Sequence, residues 1–225
     1  MSAVKPRSNA RQISPRRRDR AVTRARMLDA ARRLFIERGY AATTISEIAA
    51  AAGVAVPTIY WAFGSKRAIV SEIRQAWLEA AGTAARLREV LAIDEPGARL
   101  EAYAAFMANQ WATGAEALAV QQDAMRGDPQ IAAEIAAVLA ERAEGLKAVV
   151  APLAPHLREP LSVETAHAIL LALSLLEVYR ELRDRGWSDA RYQTWLAEVL
   201  REQLLRSDGE DNPDPLPDDS PPRTT

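Results

Sequence analysis

Thr58, Tyr60, Trp61 and Lys66 fall within one short stretch, PTIYWAFGSK. Their chemistry is that of recognition rather than bond-making. Hydroxyls, an indole N–H and an ammonium can donate to phosphate oxygens or reach base edges. Covalent chemistry has little to work with elsewhere. The chain has no cysteine, which excludes disulfides, thiol catalysis and thiolate metal sites. It has two histidines, His156 and His167. Neither sits in a metal-ligand pattern, and no glycine-rich phosphate loop occurs. The residues imply no metal, no cofactor and no enzyme.

Donors that touch a duplex must be held on a rigid element, and the flanking sequence supplies one. Thr44 and Glu47 form a Thr-x-x-Glu capping box that starts a helix. Ile45, Ile48 and Ala49 follow at helical spacing, and Ala52-Gly53 ends it, glycine taking the positive φ of a tight exit. Val54 is the apolar residue such a turn buries. Pro57 sits in the first turn of the next helix, where its missing N–H costs little. Ile59 and Phe63, at i and i+4, face inward. The spacing predicts a helix-turn-helix whose second helix lies in a major groove.

The charge distribution agrees with that placement. Residues 1–68 hold 14 Lys+Arg against 4 Asp+Glu, while residues 69–225 hold 15 against 26. The sign changes where the motif ends, so phosphates attract the first third and repel the remainder. No run approaches the roughly 18–20 apolar residues that span a bilayer. The basic N-terminus lacks the apolar core of a signal peptide, and the expected location is the cytoplasm, with no membrane partner.

Hydrophobic periodicity is helical throughout, and the expected class is all-α: a three-helix DNA-binding domain followed by a larger helical domain for ligand binding and dimerisation. The expected division is a disordered basic arm at 1–18, the helix-turn-helix domain at 19–66, the effector-binding and dimerisation domain at 67–206, and a disordered acidic tail at 207–225. Asp19 is the expected cap of the first helix, which ends at Gly39. Gly82, Gly114 and Gly127-Asp128-Pro129 are expected to punctuate the helices that follow.

Near the C-terminus, residues 161–185 read as one helix that is apolar on almost every side over AILLALSLLEV. Such a helix must be covered all round. Ser188 starts a last helix with a wide apolar stripe. Two such helices meeting the same pair across a two-fold axis make a four-helix bundle, with Leu170, Leu173, Leu176, Tyr192, Trp195, Leu196 and Val199 at the interface. A monomeric core hairpin is the competing reading.

The run TRARMLDAARRLFIERGYAATTISEIAAAAGV followed by PTIYWAFGSKRAI resembles the TetR family of bacterial transcriptional regulators over about residues 20–70. That resemblance implies an all-α homodimer that represses transcription from a palindromic DNA operator until a small molecule binds its C-terminal domain. It directs Thr58 and Trp61 toward bases, and Thr44, Tyr60 and Lys66 toward phosphates. Two positions depart from the family pattern. Ala55 stands where a Ser or Thr usually caps the recognition helix, and Ala62 where a phosphate-binding His or Tyr is common. Arg16, Arg17 and Arg18 could compensate by entering the adjacent minor groove. Val56 and Pro57 could meet thymine methyl groups.

An effector would need a half-apolar lining. Trp77, Tyr103, Phe106, Met107, Trp111, Gln121, Met125 and His167 are the candidates, each with an ordinary core role as its alternative. Gln121, Gln122 and Asp123 are expected at the surface, His156 in a solvated loop, and His167 as a satisfied core histidine. An effector-independent DNA-binding protein is the alternative function.

Overall fold

The computed structural model describes residues 15–206, with side chains described from residue 19 onward. The expected tail at 207–225, residues 1–14 of the arm, and the Arg16, Arg17 and Arg18 side chains lie outside that range. The described residues form ten α-helices: α1 Pro15–Arg38, α2 Ile45–Ala52, α3 Val56–Phe63, α4 Lys66–Ala80, α5 Thr83–Leu91, α6 Pro96–Gly127, α7 Pro129–Val150, α8 Val163–Leu173, α9 Leu176–Asp184 and α10 Asp189–Leu204. A 3-10 turn spans Ala151–His156, and the β structure among the described residues is one isolated bridge, Leu157 to Leu205. The all-α expectation holds.

The chain folds as two units. Among the described residues, unit 1 comprises 15–80 and 114–137, and unit 2 comprises 81–113 and 138–206. The expected boundary at residue 66 therefore does not coincide with the structural one, because α4 and the facing ends of α6 and α7 join the N-terminal helices. The core of unit 1 shows why. Met27, Ala31 and Phe35 of α1, Ile48 of α2 and Ile59 of α3 pack with Ile69 and Val70 of α4 and with Ala117, Val120, Ala124 and Ile131. Helices of 8 residues, such as α2 and α3, are too short to be stable alone and take their stability from such packing.

Two helix ends differ from expectation. Helix α1 starts at Pro15, so Asp19 lies inside it rather than capping it. Proline is pre-set for the first helical position, which makes Pro15 the natural start. Helix α6 runs unbroken for 32 residues through Gly114. That glycine is a packing device instead of a break: a Cβ there would lie 2.6 Å from Cζ2 of Trp77. The bare backbone lets the indole lie against α6. Gly114→Ala gains about 1 kcal/mol of helix propensity but forces an overpacking cost of about 1–3 kcal/mol. The expected result is a lower melting temperature. One at or above the wild type's would show that the indole swings aside freely.

In unit 2, Leu100, Tyr103, Met107, Leu146, Leu153, Leu170, Tyr192, Leu196 and Leu200 are buried together. The C-terminal end of α10 is stitched to the segment after the 3-10 turn, with Arg158 N–H donating to Leu204 O at 2.9 Å and Arg206 N–H to His156 O at 3.1 Å. The apolar run expected as one helix is broken into α8 and α9 at Ser174 and Leu175. Ser174 Oγ donates back to Leu170 O at 2.5 Å, and its backbone oxygen accepts the Trp111 indole N–H at 3.2 Å. Side-chain and cross-helix bonds thus replace the helical ladder at this point.

Four of the expected interface residues change role. Leu170, Tyr192 and Leu196 are fully buried by their own chain, and Leu176 nearly so. A helix that is apolar all round does not declare which side faces home. Leu173, Trp195 and Val199 remain half-exposed, beside Ala168, Leu171 and Ala172 on α8 and Leu175 just beyond it.

Candidate nucleic-acid interface

The site begins with backbone groups at a helix start. Thr44 Oγ1 accepts the Glu47 N–H at 3.2 Å, and the Glu47 carboxylate accepts the Thr44 N–H at 2.8 Å, so the capping box is complete. Those same Thr44 bonds hold the Glu47 carboxyl below its ordinary range, with Arg38 adding to them. Arg38 pairs with Glu47 at 2.8 Å and ties the end of α1 to the start of α2. Gly53 takes φ 62°, and its turn returns Val54 N–H to Ala49 O at 3.0 Å. The two helices meet at 103°, within the range of a helix-turn-helix.

Helix α3 is capped as its sequence foretold. Ala55 makes no side-chain bond to the helix start, and Pro57 sits in the first turn. Ile59 and Phe63 point into the core, whereas Tyr60 is 51 % exposed and Trp61 is 76 % exposed. An indole exposed to that degree is not a core residue. Val56 and Thr58 are half-buried and Pro57 is exposed at the leading edge. Gly64, at φ 78°, ends the helix, and Ser65 Oγ accepts the Ala68 N–H at 3.1 Å to start α4.

Lys66 is more constrained than a surface lysine. Its ammonium lies 4.2 Å from the centroid of the Tyr40 ring and 3.4 Å from Ala41 O. Partial burial lowers its pKa, with the Glu47 charge opposing that shift. The ring and carbonyl pre-position the charge at the α1–α2 corner. Two cations that sequence reasoning missed join it: the Arg20 guanidinium lies 5.6 Å over Trp61, and Arg24 lies 4.5 Å over Phe63 while pairing with Glu72 at 2.9 Å. The available signal was their i, i+4 spacing on α1, in line with Met27 and Ala31 on the same face.

The second half of α6 braces this assembly from within unit 1. Asp123 Oδ2 accepts the Tyr40 N–H at 2.6 Å, and Arg67 reaches Asp128 at 3.4 Å and Glu134 at 3.9 Å. Asp128 also caps α7 through the Gln130 and Ile131 N–H groups. Gln121, expected at the surface, is buried. The helix face carrying Ala117, Val120 and Ala124 draws it into the core. Trp77 and Met125 pack against the unit 1 core. The candidate ligand residues are therefore divided: Trp77, Gln121 and Met125 lie in unit 1, and Tyr103, Phe106, Met107, Trp111 and His167 in unit 2. His167 Nε2 bonds Ala143 O at 2.8 Å, as a satisfied histidine would. Among the described residues, no single helix is long and apolar enough to cross a membrane.

Comparison with known proteins agrees with this geometry. Residues 27–73 match the model of the bacterial regulatory proteins of the tetR family. The HTH-type transcriptional regulator TtgR of Pseudomonas putida is 40 % identical over 67 residues, covering 30 % of this chain and 32 % of TtgR. The chain thus matches about a third of that relative's length. Among solved structures, a SmeT–triclosan complex superposes with TM-score 0.65 at 20 % identity, covering 89 % of this chain and all of the other. FadR of Bacillus subtilis, solved with stearoyl-CoA, gives TM-score 0.61 at 21 % identity, covering 80 % and 98 %. The two solved structures share the fold over both units. The stretch that matches the tetR family of bacterial regulatory proteins, residues 27–73, is thus the one that holds the helix-turn-helix.

Proposed function

We propose that the protein is a ligand-responsive transcriptional repressor that binds a palindromic DNA operator as a homodimer and leaves it when a small, largely apolar molecule occupies unit 2. The observation that carries this reading is the outward presentation of Tyr60 and Trp61 on a short helix whose inward face is pinned by Ile59 and Phe63. Thr58 and Trp61 meet base edges, with Val56 and Pro57 beside them. Thr44, Tyr60 and Lys66 hold phosphates, as do Arg16, Arg17 and Arg18 ahead of them. The homodimer forms on the apolar surface left by Ala168, Leu171, Ala172 and Leu175, with Trp195 and Val199.

The same reading supplies a route for release. Helices α6 and α7 each have residues in both units. Asp123 and Asp128, at the operator-binding end of that path, hold the Tyr40 corner and Arg67. An effector that shifts α6 or α7 moves those anchors. By linkage, effector and operator then weaken each other's binding by the same factor. The SmeT structure with triclosan and the FadR structure with stearoyl-CoA support a small-molecule effector for the fold.

Selection from a random duplex library with the full-length protein tests this. The expected product is an inverted repeat whose half-sites are spaced by about one helical turn, roughly 34–36 Å, or a multiple of it. Enrichment of a single asymmetric site, or no enrichment, would overturn the dimeric operator reading.

A further inference from the structure

Arg142, on α7, is a half-buried cation with an unusual set of neighbours. Its Nη2 donates to Met107 Sδ at 3.5 Å, and its guanidinium lies 5.4 Å over the Trp111 ring. A thioether is a weak acceptor, and a guanidinium carries five donors. Among the described residues it has no carboxylate within ion-pair distance. Burial lowers its pKa, which marks the cost of keeping that charge inside. Arginine is seldom taken out of water without an ionic partner.

A second group nearby is also unspent. Tyr192 on α10 is fully buried, and its hydroxyl proton finds no acceptor, the Trp111 N–H beside it being a donor. That hydroxyl interacts with Trp111 and Tyr103, and Tyr103 in turn feels the charge of Arg142. The other donors around them are committed. The Trp111 N–H goes to Ser174 O. Ser174 Oγ gives its proton to Leu170 O, so Tyr103 O–H is the donor in its 2.8 Å bond to Ser174 Oγ. Two donors of one region, a guanidinium and a phenol, therefore remain for an acceptor from outside, beside the apolar surfaces of Met107, Trp111 and Phe106.

We propose that Arg142 and Tyr192 recognise the carboxylate of an amphipathic organic acid, whose apolar body lies along Met107 and Trp111, and that this acid is the class of effector the protein answers to. The assignment rests on the effector reading given above and adds its chemistry. A carboxylate accepts bidentate bonds from a guanidinium and a further bond from a phenol, and charge-assisted bonds of this kind are about twice as strong as neutral ones. The same acid would press on Trp111, whose indole holds Ser174 O at the break between α8 and α9. Arg142 lies on the helix whose Ile131 and Ile135 belong to the unit 1 core.

The test uses full-length protein with benzoate, decanoate and palmitate, each beside its primary alcohol, read by calorimetry and thermal shift. At least one acid is expected to bind about tenfold or more tightly than its alcohol, the scale of a lost charge-assisted pair. Arg142→Met keeps an apolar stem of similar length, and Tyr192→Phe removes only the hydroxyl. Arg142→Met should melt at or above the wild-type temperature, bind operator normally and lose the preference for acid over alcohol. Tyr192→Phe should weaken the acid several-fold and leave the alcohol unchanged. Equal binding of acids and alcohols, no binding by any acid, or an acid preference that survives in Arg142→Met would each overturn the proposal. An acid that binds through Arg142 without lowering operator affinity would uphold the site and overturn its role in release.

Discussion

Leu170→Glu is expected to unfold unit 2 rather than to split a folded dimer. Leu170 is fully buried by its own chain, against a core that includes Tyr103, Tyr192 and Leu196. A carboxyl placed in that apolar core costs several kcal/mol whether it ionises or takes up a proton. Removing the side chain alone, as in Leu170→Ala, costs about 2–5 kcal/mol through lost burial and the cavity left behind. Leu175→Glu is the informative contrast, because Leu175 is 50 % exposed. Its effect on the isolated subunit should stay within about 0.5 kcal/mol, while the dimer that buries it should dissociate. Circular dichroism melting and sedimentation on both variants separate the two behaviours. A stable, folded Leu170→Glu would contradict the placement of α8. A Leu175→Glu variant that remains dimeric at micromolar concentration would put the subunit interface elsewhere.

The second large effect concerns DNA. Thr58→Ala and Trp61→Ala should each cost about 1–3 kcal/mol on the cognate operator and much less on random duplex, as expected for lost base-edge contacts. Trp61 is exposed, so its removal should leave the melting temperature close to wild type, apart from the stacking of Arg20 on its ring. Ile59→Ala provides the control. Ile59 is buried in the unit 1 core, so this variant should lose about 2–5 kcal/mol of stability and lose all duplexes in proportion to the unfolded fraction. Competition binding against cognate and random DNA, with melting curves for each variant, distinguishes recognition from folding. If Trp61→Ala loses both duplexes alike, Trp61 is a backbone contact and the specificity resides elsewhere on α3.

The helix-turn-helix was legible in the sequence because its determinants are local. A capping box closes over four residues, Gly53 sets its own φ, and the inward and outward sides of α3 alternate within two turns. The absence of a side-chain cap at Ala55 was equally readable. These features act between neighbours in the chain, and tertiary packing had only to confirm them.

What the sequence by itself determined, then, was the all-α class, the helix-turn-helix and the charge asymmetry that points it toward DNA. Tertiary structure decided the rest, wherever partners lie far apart in the chain. Gly114 reads as a helix break until Trp77 is seen occupying the space a Cβ would take. The run from Ala168 to Val178 contains neither glycine nor proline, yet it breaks at Ser174, where Tyr103 and Trp111 compete with the helical ladder from 71 and 63 residues away. The inward side of α8 was hidden for a related reason: a helix apolar all round carries no periodic signal, so only the neighbours it meets could assign Leu170 to the core and leave Leu175 outside. Arg142 shows the same limit. In the sequence it is one arginine among many, and its isolation from every carboxylate of the described residues exists only once α6 and α7 have folded against each other in unit 2.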